Sequence, residues 1–167
     1  IVHHTVIVDN DATQNVWETL EEVKAKMRQL QVIRPDLGLD VPYNFVGSLM
    51  AAGGVVVCAG RGRDLPGAHP YAHNTSGIAL ALQGNFQLPT PNLASYTGHI
   101  SRFWGWLRYE QGLTNLGFKR PARAPVYGHR DFRDPNDTST WTSCPGDGLY
   151  LLLPELTFQA DMQPPQE

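Results

Sequence analysis

Two hydrophobic periods alternate along the chain, one of short β-branched runs and one of apolar stripes at helical spacing. Ile1-Val2-His3-His4-Thr5, followed by Asp9-Asn10-Asp11, predicts a strand that ends in a loop. Val16, Leu20, Val23, Met27 and Leu30 then recur at steps of four and three, which predicts a helix with one core-facing stripe. Asn15 with Glu18 three residues on matches a capping box at its start, with Thr13 as a rival cap, and Pro35 stops it. Tyr43 to Ser48 and Val55 to Ala59 read as strands joined by a turn at Gly53-Gly54. Ile78 to Leu82 is a continuous apolar run of the kind found in central strands buried on both faces. Ser95 or Thr97 opens a second helix whose Ile100, Phe103 and Leu107 share a face, while Trp104 and Trp106 fit core or surface equally. Pro125-Val126-Tyr127 predicts a short strand and Leu149 to Leu156 a terminal helix.

Strands alternating with helices predict an α/β fold, one domain over residues 1–156 with a central mixed sheet flanked by helices. Residues 157–167 read as a polar, Pro-containing tail, a linker or unpacked segment. There is no internal repeat. The start at Ile1, inside an apolar run, reads as a piece of something larger.

Composition narrows the function classes. A net charge of −3 on 167 residues supplies no excess of Lys and Arg for nucleic acid. No apolar run approaches the roughly 20 residues that span a bilayer. Two cysteines are too few for a disulfide scaffold. Cys58, inside Val55-Val56-Val57-Cys58-Ala59, reads as a buried strand residue, and Cys144 lies in a polar turn.

Chemistry-bearing residues cluster late in the chain. Cys144, in Thr142-Ser143-Cys144-Pro145-Gly146, is the natural thiolate candidate, and His129 precedes it by one long loop. A catalytic zinc takes three protein ligands and keeps one position open, so a His/His/Cys set drawn from six histidines is one reading. Ordinary surface or hydrogen-bonded histidines are the other. His129-Arg130-Asp131 copies three letters of the kinase catalytic loop, but the Gly-rich loop and D-F-G are missing. No G-x-S-x-G elbow is present.

Five motifs taken in order resemble one family from Ile1 to about Leu156. They are Val2-His3-His4-Thr5; Tyr43-Asn44-Phe45; Gly67-Ala68-His69; Asn74-Thr75-Ser76-Gly77-Ile78 leading to Gly84-Asn85; and Gly128-His129-Arg130-Asp131 with Cys144-Pro145-Gly146. The chain is similar to the type 2 N-acetylmuramoyl-L-alanine amidases, which include phage lysozyme-amidases and the peptidoglycan recognition proteins. The resemblance implies one Zn²⁺ held by His3, His129 and Cys144 at the sheet edge. It also implies Tyr43 beside the metal, and His69 and Asn74 as substrate-binding residues. Where phage members carry a lysine this chain has Thr142, a hydrogen-bond donor without charge, and Asn44 replaces the usual histidine of the tyrosine motif. His4 is left to structural packing, and His73 and His99 to the surface. The implied reaction is hydrolysis of the amide between N-acetylmuramic acid and L-alanine by a monomer acting on peptidoglycan or muropeptides. The alternative is a non-catalytic peptidoglycan-binding module, although relatives that only bind tend to lack the cysteine. Phage lysis, bacterial wall remodelling and secreted defence all stay open as settings.

Overall fold

The computed structural model describes residues 1–7, 15–62, 65–68, 77–110 and 126–161. Its centre is a five-stranded mixed sheet. β1 (Val2–His4) pairs in parallel with β5 (Leu80–Leu82), and β5 pairs in parallel with β3 (Phe45–Met50). β4 (Val55–Ala59) runs antiparallel to β3 through the hairpin at Gly53 and Gly54, where φ of +91° and +87° suits glycine. β2 (Val16–Trp17) pairs with Leu49 and Met50, beyond the stretch of β3 that β5 occupies.

Period-2 alternation along β3 divides the core between two faces of the sheet. Phe45 and Leu49 join Leu80, Leu82, Ile100, Leu107, Leu149 and Leu156 in the larger cluster. That face is covered by α2 (Thr97–Glu110) and α4 (Leu153–Asp161), which are tied where the Ser101 hydroxyl donates to the Leu156 carbonyl. Val46 and Met50 pack on the other face, against Leu30 and Val23 of α1 (Leu20–Leu30). Leu30 and Leu156 have no exposed surface, and burial of each contributes about 1.5–3 kcal/mol. Helices on both sides of a mixed sheet are the architecture the alternating pattern predicts.

The first helix departs from its predicted start. Val16 lies in a strand, and α1 begins at Leu20 with a capping box made by Thr19 and Glu22 in place of Asn15 and Glu18. The Thr19 hydroxyl accepts from the Glu22 N–H at 3.3 Å, and a Glu22 carboxylate oxygen accepts from the Thr19 N–H at 2.9 Å. Leu20, expected in the core stripe, is 54% exposed. Asn15 has another task. It is buried, accepts from the Asn85 N–H at 2.7 Å, and donates to the Asn85 carbonyl and the Thr90 hydroxyl at 3.1 and 2.7 Å. Parallel pairing with β3 outweighs the local helical signal, because it buries Trp17 completely.

Other boundaries shift as well. β3 lies two residues later than the predicted strand, and a 3₁₀ turn at Leu93–Tyr96 precedes α2. Trp104 is buried, whereas Trp106 leans on Phe45 and Phe103 and stays 38% exposed. The predicted strand at Pro125 to Tyr127 contracts to a parallel bridge between Val2 and Gly128. The single terminal helix is two, α3 (Asp147–Tyr150) and α4, and α4 continues to Asp161. Cys58 in β4 is only half-buried. Among the described residues no helix is long and apolar enough to cross a membrane.

Asn15→Ala strips three hydrogen bonds from a buried position and leaves the Asn85 N–H unpaired, so it should cost about 2–3 kcal/mol in urea unfolding. Thr19→Ala should cost about 1 kcal/mol. Equal losses would mean that Asn15 acts as no more than a cap.

Candidate metal centre

Two chain segments far apart in sequence meet at the edge of the sheet. The bridge from Val2 to Gly128, with the Val2 N–H donating to the Tyr127 carbonyl at 2.7 Å, lays the second segment alongside β1. His129 opens a 3₁₀ turn, His129–Phe132, directly after that bridge. Cys144 arrives from the far end of the same loop, held where the Arg130 N–H donates to its carbonyl at 2.9 Å. The following turn needs a glycine. At Gly146 φ is +91° and a Cβ would sit 2.4 Å from the carbonyl carbon of Phe86.

One ligand atom from each of His3, His129 and Cys144 lies within 4.8 Å of the others. The Cys144 sulfur is 3.8 Å from His3 Nδ1, and the two imidazole centroids are 4.8 Å apart. Ligands of a tetrahedral zinc, bound at about 2.0–2.3 Å, stand roughly 3.5 Å from one another. Two imidazoles and a thiol at this spacing fit zinc in chemistry and in scale, and no fourth ligand joins them among the described residues.

Register explains how neighbouring histidines part company. His3 aligns with Ala81 and, across β5, with Val46, on the α1 face, whereas His4 aligns with Leu82 and Gly47. The His4 ring is buried and its Nδ1 accepts from the Phe86 N–H at 3.3 Å, consistent with the packing role expected of it. Its backbone N–H nevertheless points at the centre, 3.4 Å from the Cys144 sulfur.

Electrostatics follow from burial. Desolvation holds His129 below the usual imidazole range, which keeps a lone pair available at neutral pH. Burial pushes the Cys144 thiol up to about 11, against the opposing pull of the His4 N–H and the Arg130 charge. Without a metal the sulfur therefore keeps its proton, and metal binding must release it. His4 is lowered to about 4 by desolvation first, then by Arg130 and His129.

Tyr43 stands against this group, its ring centroid 5.2 Å from that of His3. Burial first, and then Cys144, raise its phenol to about 12. Thr142 is half-buried two residues before the cysteine, and its hydroxyl accepts from the Cys144 N–H at 3.1 Å. Asn44, at the position where the family has histidine, is a fully engaged structural residue. Its amide donates to the carbonyls of Gly62 and Leu65 and accepts from the Ala79 N–H, binding the loop after β4 to the start of β5. His69, Asn74 and His73 lie outside the described residues, and His99 is exposed on α2.

Comparison with known proteins bears on this arrangement. No protein-family model matches the chain. It is 29% identical over 154 residues to the human protein named N-acetylmuramoyl-L-alanine amidase, and 27% identical over 157 residues to the mouse protein of that name. Each match covers 91% of this chain but only 23% and 25% of the relative, so the chain spans about a quarter of their length. Among solved structures it shares its fold with Drosophila PGRP-LB (TM-score 0.60, 21% identity, 90% of this chain and 75% of that one). It likewise matches human PGRP-IBETAC in complex with glycosamyl muramyl pentapeptide (TM-score 0.62, 18% identity, 90% and 77%). In sequence the chain resembles proteins named N-acetylmuramoyl-L-alanine amidase, and in fold it resembles peptidoglycan recognition proteins. The fold carries the motifs at both ends of the chain to one sheet edge.

Sequence reasoning missed the polar surroundings of the centre. Asp147 contacts both Gln87 and Arg130 across long separations, and none of the three carries a local signal of that partnership.

Two outcomes are expected. The protein should bind one zinc per chain, by elemental analysis after dialysis, and His129→Ala or Cys144→Ala should reduce this to background. In metal-free protein, stability should fall as pH drops from about 6.5 to about 4, because the unfolded chain protonates His4 while the folded chain does not. His4→Gln should flatten that slope in chemical unfolding measured at successive pH values.

Proposed function

We propose that this domain is a zinc-dependent N-acetylmuramoyl-L-alanine amidase, which hydrolyses the amide between N-acetylmuramic acid and the L-alanine of the stem peptide. The observation that carries this reading is the convergence of His3, His129 and Cys144 within 4.8 Å, three ligands of the type and number a catalytic zinc takes. Among the described residues no fourth protein ligand joins the three, as a centre meant only to brace the fold would require. The human relative's name supplies the reaction, and the muramyl pentapeptide bound to the human structural neighbour supplies the substrate class. All three ligands come from one chain, which supports action as a monomer.

Zinc held there supplies a Lewis acid for the scissile carbonyl and makes water nucleophilic near neutral pH. The residues of the chain do the rest. His129, held below the usual imidazole range by burial, presents a neutral nitrogen beside the His3 ring, and the His4 N–H stabilises the sulfur of Cys144 as an anion. Tyr43, whose phenol holds its proton to about pH 12, acts as a hydrogen-bond donor to the oxyanion that develops on the substrate. Thr142 supplies a second, uncharged donor beside the cysteine where the phage amidases have lysine. His69 and Asn74 are assigned to muropeptide binding on the resemblance alone.

A binding module without catalysis would need none of the ligand chemistry at Cys144. Digestion of purified peptidoglycan, with products identified by mass spectrometry, separates the two. Free stem peptides beginning with alanine, lost on chelation and restored by zinc, are the expected result. Tight retention on the polymer with every glycan–peptide linkage intact would make this a binding module. Tyr43→Phe should keep its zinc and lose about 10²–10³-fold in turnover number. An unchanged rate removes Tyr43 from the chemistry.

A further inference from the structure

We propose that Arg130 and Asp147 are positioning residues that clasp the two loop-borne ligands, His129 and Cys144, into a preformed metal pocket. The inference rests on the zinc reading of that site. Arg130 directly follows His129, and its guanidinium reaches across the loop to donate to the Ser143 carbonyl, one residue before Cys144. The same guanidinium donates to an Asp147 carboxylate oxygen at 2.6 Å and lies 4.5 Å above the Tyr150 ring. Its side chain is only 13% exposed. Its own N–H donates to the Cys144 carbonyl, so one residue grips both sides of the cysteine's entry.

Asp147 anchors the clasp to the sheet. Its second oxygen accepts from the Gln87 side-chain amide at 2.5 Å, and its N–H donates back to that side chain's Oε1 at 3.1 Å. Gln87 follows Phe86, whose N–H holds the His4 ring. The chain of contacts thus returns to β1, the strand that bears His3. On the other side of the loop, Asp131 accepts from the Gly128 N–H at 2.8 Å and from the Tyr150 hydroxyl at 2.5 Å, which steadies the turn carrying His129.

The geometry demands a fork. A guanidinium can satisfy a carboxylate, a carbonyl and an aromatic face at once from fixed directions, whereas an ammonium of equal charge cannot. Partners of this kind, one step behind metal ligands, typically control affinity by 10–100-fold.

The test compares wild type with Arg130→Ala, Arg130→Lys and Asp147→Asn. Zinc affinity is measured by competition with a chromophoric chelator, and cobalt(II) is substituted to read ligand geometry from its absorption spectrum. Amide exchange in metal-free protein is followed at residue 130 and at Gly146, whose N–H donates to the Ser143 carbonyl. Arg130→Ala should weaken zinc by about 10–100-fold, shift the cobalt spectrum and speed exchange at both amides. Arg130→Lys should remain close to Arg130→Ala, and Asp147→Asn, at an exposed site that tolerates change, should fall between them and wild type. Wild-type affinity in Arg130→Lys would reduce the effect to charge and overturn the clasp. So would unchanged exchange in metal-free Arg130→Ala. A wild-type protein that takes up no zinc would refute the metal reading, while exchange in the metal-free variants would still decide whether the clasp orders the loop.

Discussion

The arrangement at the sheet edge depends on one buried sulfur. Cys144 touches β1 twice, at the His3 ring and at the His4 N–H, and those two contacts lie on successive residues of a strand. A strand turns its side chains to alternate faces, so only an atom at the strand's edge can meet the ring of one residue and the backbone of the next. Seating the sulfur there fixes where the loop from Gly128 to Gly146 must close. That closure in turn sets His129 beside His3. Burial keeps the metal-free sulfur protonated, while the His4 N–H and the Arg130 charge oppose that shift and favour the thiolate that a bound cation would need.

The ligand set was legible in the sequence through the resemblance to the amidases, because its residues sit in short motifs, whereas chemistry alone left a His/His/Cys set and ordinary histidines both open. His3, at the end of an apolar β-branched run, and Cys144, in a Pro-Gly turn, announce an edge and a loop without reference to the rest of the chain. What local pattern could not show is competition between elements. Asn15 and Glu18 satisfy the capping-box spacing, and Val16 and Leu20 continue the helical stripe. The chain nonetheless gives Val16 and Trp17 to β3, since pairing there buries an indole that a helix start would leave wet. Asn15 is then drawn into Asn85 and Thr90, contacts some 70 positions away. The Gln87–Asp147–Arg130 chain was illegible for the same reason, as its meaning exists only once both loops are folded.

Position 44 shows how a departure from a family pattern becomes intelligible. Against the motif alone, asparagine in place of histidine beside Tyr43 has no evident effect. In the fold its amide carries one acceptor and two donor contacts that join the loop after β4 to β5. Its side chain points away from any chemistry and into the connection that leads toward the proposed substrate-binding residues. The substitution therefore acts on how that loop is anchored, and Tyr43 keeps its place through its contact with His3.

The weak net charge gives a last constraint on mechanism. A chain at −3 has no basic field to draw it to an anionic cell wall, so any docking there would need specific contacts or another module. In that setting a rigid pocket is worth more than a flexible one, because every ligand or substrate group ordered on binding subtracts from a modest affinity. The loop bearing two of the three proposed ligands has little regular structure, only two 3₁₀ turns within 129–140. Its order has to come from side chains. Arg130 supplies it with a single guanidinium fixed between an aspartate, a carbonyl and an aromatic ring, so the residue after a ligand orders the loop that the ligands occupy.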